Sequence, residues 1–260
     1  LTDGTQLFIY DKNGKQVNVA YTYINNNPSL MFATELIYGD AIILELDCLP
    51  SADLPTFQIS DIAYAYRDIS YTDQVKGFGS SDFCEVNIGC SPEGLDWQDE
   101  KNGVVRIQVR VSGSGYWCAG SLVNNARNDN SPYVLTADHC AFQMGHYATV
   151  SDLNQWLFYF NYESQTCEDP LQEPTVKSMV GASKVAQGGN LGSTGSDFFL
   201  MRLNEAVPPE YNPYFLGWSA VDEISSAGVT IHHPEGDIKK ISTYNTPLVT
   251  VSLPWSGTTL

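Results

Sequence analysis

Two residues of this sequence have the types and the surroundings for acyl transfer to water. His139 ends the apolar run YVLTADHC at 133–140, and Asp197 opens DFFLMRLN at 197–204. Such chemistry needs a nucleophile, a base that titrates near neutrality and a carboxylate that fixes the tautomer of the base. The chain has four histidines. His139 is the candidate base, because it closes a strand-like segment at the lip of a barrel and stands beside Cys140, where a disulfide would hold its backbone still. Asp138 is the rival carboxylate. An immediate neighbour on a strand end points away from its companion, so Asp197, arriving from a distant strand, is the expected orienting group. The plainer reading of Asp197 is a turn aspartate after Gly195 and Ser196. His232 and His233 precede Pro234 and invite a metal reading. Adjacent residues of a strand face opposite sides and cannot easily ligate one ion, so no metal and no cofactor are assigned.

These groups must be held by β-structure. The chain of 260 residues is 43% hydrophobic and only 17% charged, with 21 glycines and 13 prolines, which suits an all-β protein rather than a helical bundle. Strand-like segments recur at short intervals: VVRIQVRVS at 104–112, GYWCAGSLVNN at 115–125, WLFYFNY at 156–162, FLGWSA at 215–220 and GVTIHHP at 228–234. No amphipathic helix intervenes, and a barrel or sandwich is the architecture implied. Residues 5–70 form a separate β-rich set, with QLFIY, a DKNGK turn at 11–15, VNVAYTYI, LMFATELI, AIILELDCL and FQISDIAYAYRDI. TDQVKGFGSS at 72–81 reads as an exposed linker, so the expected organisation is an N-terminal domain over 1–71, a linker over 72–81 and a second domain over 82–260.

The 13 Lys and Arg against 30 Asp and Glu give a formal charge of −17. That field repels phosphate backbones and anionic lipid, and makes nucleic acid a poor partner. No apolar run is long enough to span a bilayer, and no charged-then-apolar leader opens the chain. Six cysteines, five of them within 84–167, lack the paired spacing of zinc or redox sites. Their clustering favours disulfides and an extracytoplasmic, secreted or periplasmic protein.

The blocks CAGSLVNN, LTADHC and GSDFFLMRLN, in that order, resemble the trypsin-like serine peptidases, specifically the bacterial lysyl endopeptidase group. EVNIG between Cys84 and Cys90, PEG at 92–94, NYESQTC at 161–167 and IHHPEGDIKKIS at 231–242 extend the resemblance over residues 77–260. It implies a chymotrypsin-like double β-barrel, here with an incomplete second barrel, preceded by a β-rich unit similar to the prosegment of such precursors. It also implies His139 as general base, Asp197 as its carboxylate, the disulfides Cys118–Cys140 and Cys90–Cys167, and His232 or His233 lining the substrate cleft. Peptides or proteins are the substrates implied, cleaved after lysine, by a monomer without cofactor. Cys84 pairs in this group with a cysteine after the nucleophile, and Cys48 is left without an assignment.

The nucleophile of such enzymes lies in Gly-x-Ser-Gly, whose backbone N–H groups also form the oxyanion hole. That motif does not occur in these 260 residues, and the serine is expected beyond Leu260, leaving this stretch inactive by itself. Lys76-Gly77 in the linker is the expected site of self-processing. Two competing readings are a non-catalytic binding module on a protease-like scaffold and a metal-dependent hydrolase sensitive to chelator, for which no ligand-spaced pair exists.

Overall fold

The computed structural model describes residues 1–15, 20–27, 30–37, 39–63, 78–175, 177–189, 196–221 and 223–249. The chain divides into two compact units, 1–65 and 66–260. In the first, β1 (Thr5–Asp11) pairs antiparallel with β2 (Ile42–Cys48). Leu7 and Ile9 on one face of β1 pack with Tyr21 into a small core. The segments 30–37 and 57–63, strand-like by composition, run without a ladder. Their apolar residues include the exposed Leu30, Phe57, Ile59 and Ile62, so β-propensity alone does not pair them.

The second unit opens with β3 (Val86–Asn87) and then β4 (Val104–Val111), β5 (Ser114–Val123) and β6 (Tyr133–Ala137). One helical turn, α1 (Asp138–Ala141), leads into the short hairpin β7 (Phe142–Gln143) and β8 (His146–Tyr147). A second turn, α2 (Val150–Leu153), precedes β9 (Leu157–Phe160), β10 (Lys177–Val180), β11 (Ala182–Gln187) and β12 (Phe198–Leu203). The hairpin of β13 (Gly228–His232) and β14 (Lys240–Tyr244) follows.

Seven of these strands form one antiparallel sheet in the order β10-β9-β4-β5-β6-β12-β11. Its two outer strands are consecutive in the chain, separated by Gly181 alone, so the sheet curls back toward itself. Gly181 makes the corner at φ +84°, a conformation that glycine adopts without steric cost. Its N–H donates to the Trp156 carbonyl and its own carbonyl accepts from Asn204 N–H, tying the start of β9 to the end of β12. Alternation along β4 sends Val105, Ile107 and Val109 inward, and β12 contributes Phe199, Met201 and Leu203 to the same core with Trp156, Phe158 and Phe160. Gly120 lets β5 approach closely, since a Cβ there would lie 2.7 Å from Ile107 and 2.9 Å from Val134.

β13, β14 and β3 make a separate three-stranded sheet. Two buried contacts join it to the larger one, and a third ties the turn between its strands β13 and β14 to residues 79–81. Arg106 of β4 lies over the rings of Trp117, Tyr159 and Tyr162 at 4.1, 4.6 and 3.6 Å and donates to the Gly236 carbonyl at 3.0 Å. Glu163 accepts from Lys101 at 2.5 Å and from Lys239 at 2.9 Å, with all three side chains buried. Asp237, also buried, accepts from Gly79 N–H (2.8 Å), Ser81 N–H (2.9 Å), Ser81 Oγ (2.5 Å) and Ile238 N–H (2.7 Å).

Candidate active site

Register brings the two chemistry-bearing residues together. In the pairing of β6 with β12, Ala137 stands opposite Phe198. His139 lies two residues past the one and Asp197 one residue ahead of the other, so both emerge at the same rim of the sheet. His139 does not end the strand itself; it sits on α1, because the chain turns helical at Asp138. Asp197 has φ +44°, the left-handed region that aspartate tolerates better than most residues. Its carboxylate grips the histidine twice: Oδ1 accepts the His139 backbone N–H at 2.9 Å, and Oδ2 lies 2.8 Å from Nδ1. The Asp197 carbonyl also accepts the Asp138 N–H at 3.1 Å. With the proton on Nδ1, the ring's lone pair lies on Nε2, the nitrogen that acts as general base in a His–Asp couple. Both side chains are partly exposed.

The turn that carries His139 is fixed from other directions as well. Cys140 is bonded to Cys118 on β5, Gln143 Nε2 donates to the His139 carbonyl at 2.8 Å, and Thr136 Oγ1 donates to the Ala119 carbonyl at 2.7 Å. The Asp138 carboxylate accepts the Tyr147 hydroxyl at 2.8 Å. Neither Gln143 nor Tyr147 is signalled by the sequence: their contacts depend on how the β7–β8 hairpin folds against α1, which no spacing rule reports.

Residues 78–259 match the family described as lysyl endopeptidase, C-terminal domain. The chain belongs to that family. The lysyl endopeptidase domain here is built mostly of β-strands, and its family is a trypsin-like peptidase group. The lysyl endopeptidase of Pseudomonas aeruginosa is 28% identical over 255 residues, which are 94% of this chain and 50% of the relative; the chain thus spans about half the length of that curated relative. Among solved structures, the protease Anisep of Arthrobacter nicotinovorans aligns with a TM-score of 0.38 at 18% identity, over 55% of this chain and 63% of its own.

Within the lysyl endopeptidase domain both implied disulfides form, Cys118–Cys140 and Cys90–Cys167, while Cys84 there and Cys48 of the first unit are unbonded and exposed. The histidine pair divides. His232 is partly exposed, with Nε2 3.9 Å from Glu85 Oε1. His233 is buried, with Nδ1 2.9 Å from the Asp237 carbonyl and its ring beside Tyr162. Among the described residues, no three His, Cys, Asp or Glu side chains gather as a metal site. Lys76 and Gly77 lie outside the described residues.

Burial, with Lys239 and Arg106 nearby, holds the His233 imidazole well below its ordinary 6.5, against the pull of the Asp237 carbonyl. The folded chain therefore keeps His233 neutral where the unfolded chain protonates it. Stability from this group is full above pH 6.5 and is lost as pH falls below it. Between pH 7.5 and 5.5 it should remove up to about 1.4 kcal/mol from the unfolding free energy. Urea titrations at both pH values check this: His233→Asn, whose amide nitrogen takes the place of Nδ1 toward the Asp237 carbonyl and does not titrate, should lose that much less over the same interval.

Proposed function

We propose that this protein is a serine endopeptidase in which His139 is the general base and Asp197 orients it. The observation that carries the reading is the double hold of the Asp197 carboxylate on the main chain and ring of one half-exposed histidine. In the cycle that follows, a serine hydroxyl gives its proton to Nε2 and attacks the scissile carbonyl. The imidazolium that forms is stabilised by Asp197 and passes its proton to the leaving amine, and water then hydrolyses the acyl-enzyme by the same route. The serine is supplied from outside these 260 residues, together with the oxyanion hole of its motif. Membership of the lysyl endopeptidase family supports cleavage after lysine, and the two disulfides support an extracytoplasmic site of action. Residues 1–71 serve as a prosegment and Lys76-Gly77 as the point of release. His232, which keeps some exposure, is the better of the two histidines for lining the cleft.

The test is expression of the whole reading frame and assay on lysyl, arginyl and neutral peptide esters, with and without a serine-directed inhibitor. Inhibitor-sensitive cleavage of the lysyl ester is the expected result. A folded product that hydrolyses none of the three, or a frame without Gly-x-Ser-Gly, would move the protein to the class of protease-like binding modules.

A further inference from the structure

The residue before the base carries a carboxylate that the catalytic cycle does not use. Asp138 is completely buried, Oδ2 accepts the Tyr147 hydroxyl, and Oδ1 is buried without a hydrogen-bond partner. A carboxylate taken out of water with one oxygen unpaired is a costly group, and a methyl could occupy the same place without that cost. The cost is retained on a helix of four residues, too short to hold its own geometry. Its partner comes from a hairpin that needs the contact equally: β7 and β8 are two residues each, with Phe142 facing Tyr147 at 4.7 Å between ring centroids and Ala148 N–H donating to the Ala141 carbonyl. Asp197 and the disulfide hold α1 from the sheet side. The Asp138–Tyr147 bond holds it from the hairpin side.

We propose that Asp138 and Tyr147 are positioning residues for His139: their hydrogen bond fixes the rotation of α1 against the β7–β8 hairpin and so keeps the imidazole on Asp197. The inference rests on His139 and Asp197 being the catalytic couple. Its test needs no turnover, which separates its failure from failure of the peptidase reading.

The readout is the low-field proton resonance of His139 Nδ1–H in the product of the whole reading frame labelled with ¹⁵N-histidine, assigned by its loss in His139→Ala, together with its exchange rate with water and the thermal midpoint. Tyr147→Phe and Asp138→Ala should each speed that exchange about tenfold, the weight of one buried hydrogen bond. Asp138→Asn, whose amide oxygen still accepts from Tyr147, should restore the slow exchange. Tyr147 lies at the partly exposed edge of the hairpin, so Tyr147→Phe is the variant that decides if Asp138→Ala does not fold. A lowered thermal midpoint with unchanged exchange in Tyr147→Phe would mean a merely structural bond and overturn the proposal. Absence of the resonance from the unmodified chain would overturn the couple, and the positioning role with it.

Discussion

Asp197→Asn is expected to lower kcat for a lysyl ester about 10⁴-fold in the complete protein while KM changes little, because the residue acts on the base and not on the bound substrate. The geometry gives this substitution a particular severity. Two donors converge on the carboxylate, the His139 main-chain N–H and the ring Nδ1–H, one on each oxygen. An amide offers one oxygen and one NH₂. Either the backbone N–H or the ring must then face a donor, and the imidazole can escape only by moving its proton to Nε2, where it can no longer accept one from serine. Asp138→Asn is the control: its partner is a hydroxyl, which an amide oxygen accepts equally well, so kcat should stay within about tenfold. Steady-state kinetics of the two variants beside the parent measure the difference. Equal losses would mean that the couple has been assigned to the wrong carboxylate.

Glu163→Ala should cost about 3–5 kcal/mol of unfolding free energy, the penalty for leaving buried charge without its partner. Glu163 follows β9, Lys239 precedes β14 and Lys101 lies in the turn before β4, so the cluster spans the seven-stranded and three-stranded sheets. Lys239 also donates to the Lys101 carbonyl at 2.7 Å and is wholly buried. Burial by itself would raise the Glu163 carboxyl, but the two ammonium groups more than offset it and hold the group below its ordinary 4.5. A depressed carboxylate contributes stability above its unfolded value and loses it as pH falls through the folded one. The difference between parent and variant in urea titrations should therefore be full at pH 7 and shrink below pH 4.5. Replacing Lys239 with Met in the Glu163→Ala background should recover part of the loss, since one stranded ammonium is then gone.

The couple was legible in the sequence because both residues carry chemistry and sit in ordered motif blocks. The strands around them were legible through period-2 alternation, as in VVRIQVRV. The cluster was not. Lys101, Glu163 and Lys239 lie 62 and 76 residues apart along the chain, and each alone reads as a solvated surface charge. Arg106 alternates with Val105 and Ile107 and so reads as the wet face of β4, yet three aromatic rings close over it. The first unit shows the opposite failure: LMFATELI and FQISDIA have strand composition, but composition does not supply a neighbouring ladder to pair with.

The hold of Asp237 on Gly79 and Ser81 bears on what happens when a chain end is created upstream. All four hydrogen bonds to its carboxylate come from residues from Gly79 onward. A backbone cut anywhere ahead of Phe78 breaks none of them. Fraying from such an end stops where Gly79 is fastened, and the second unit keeps its leading edge by its own means.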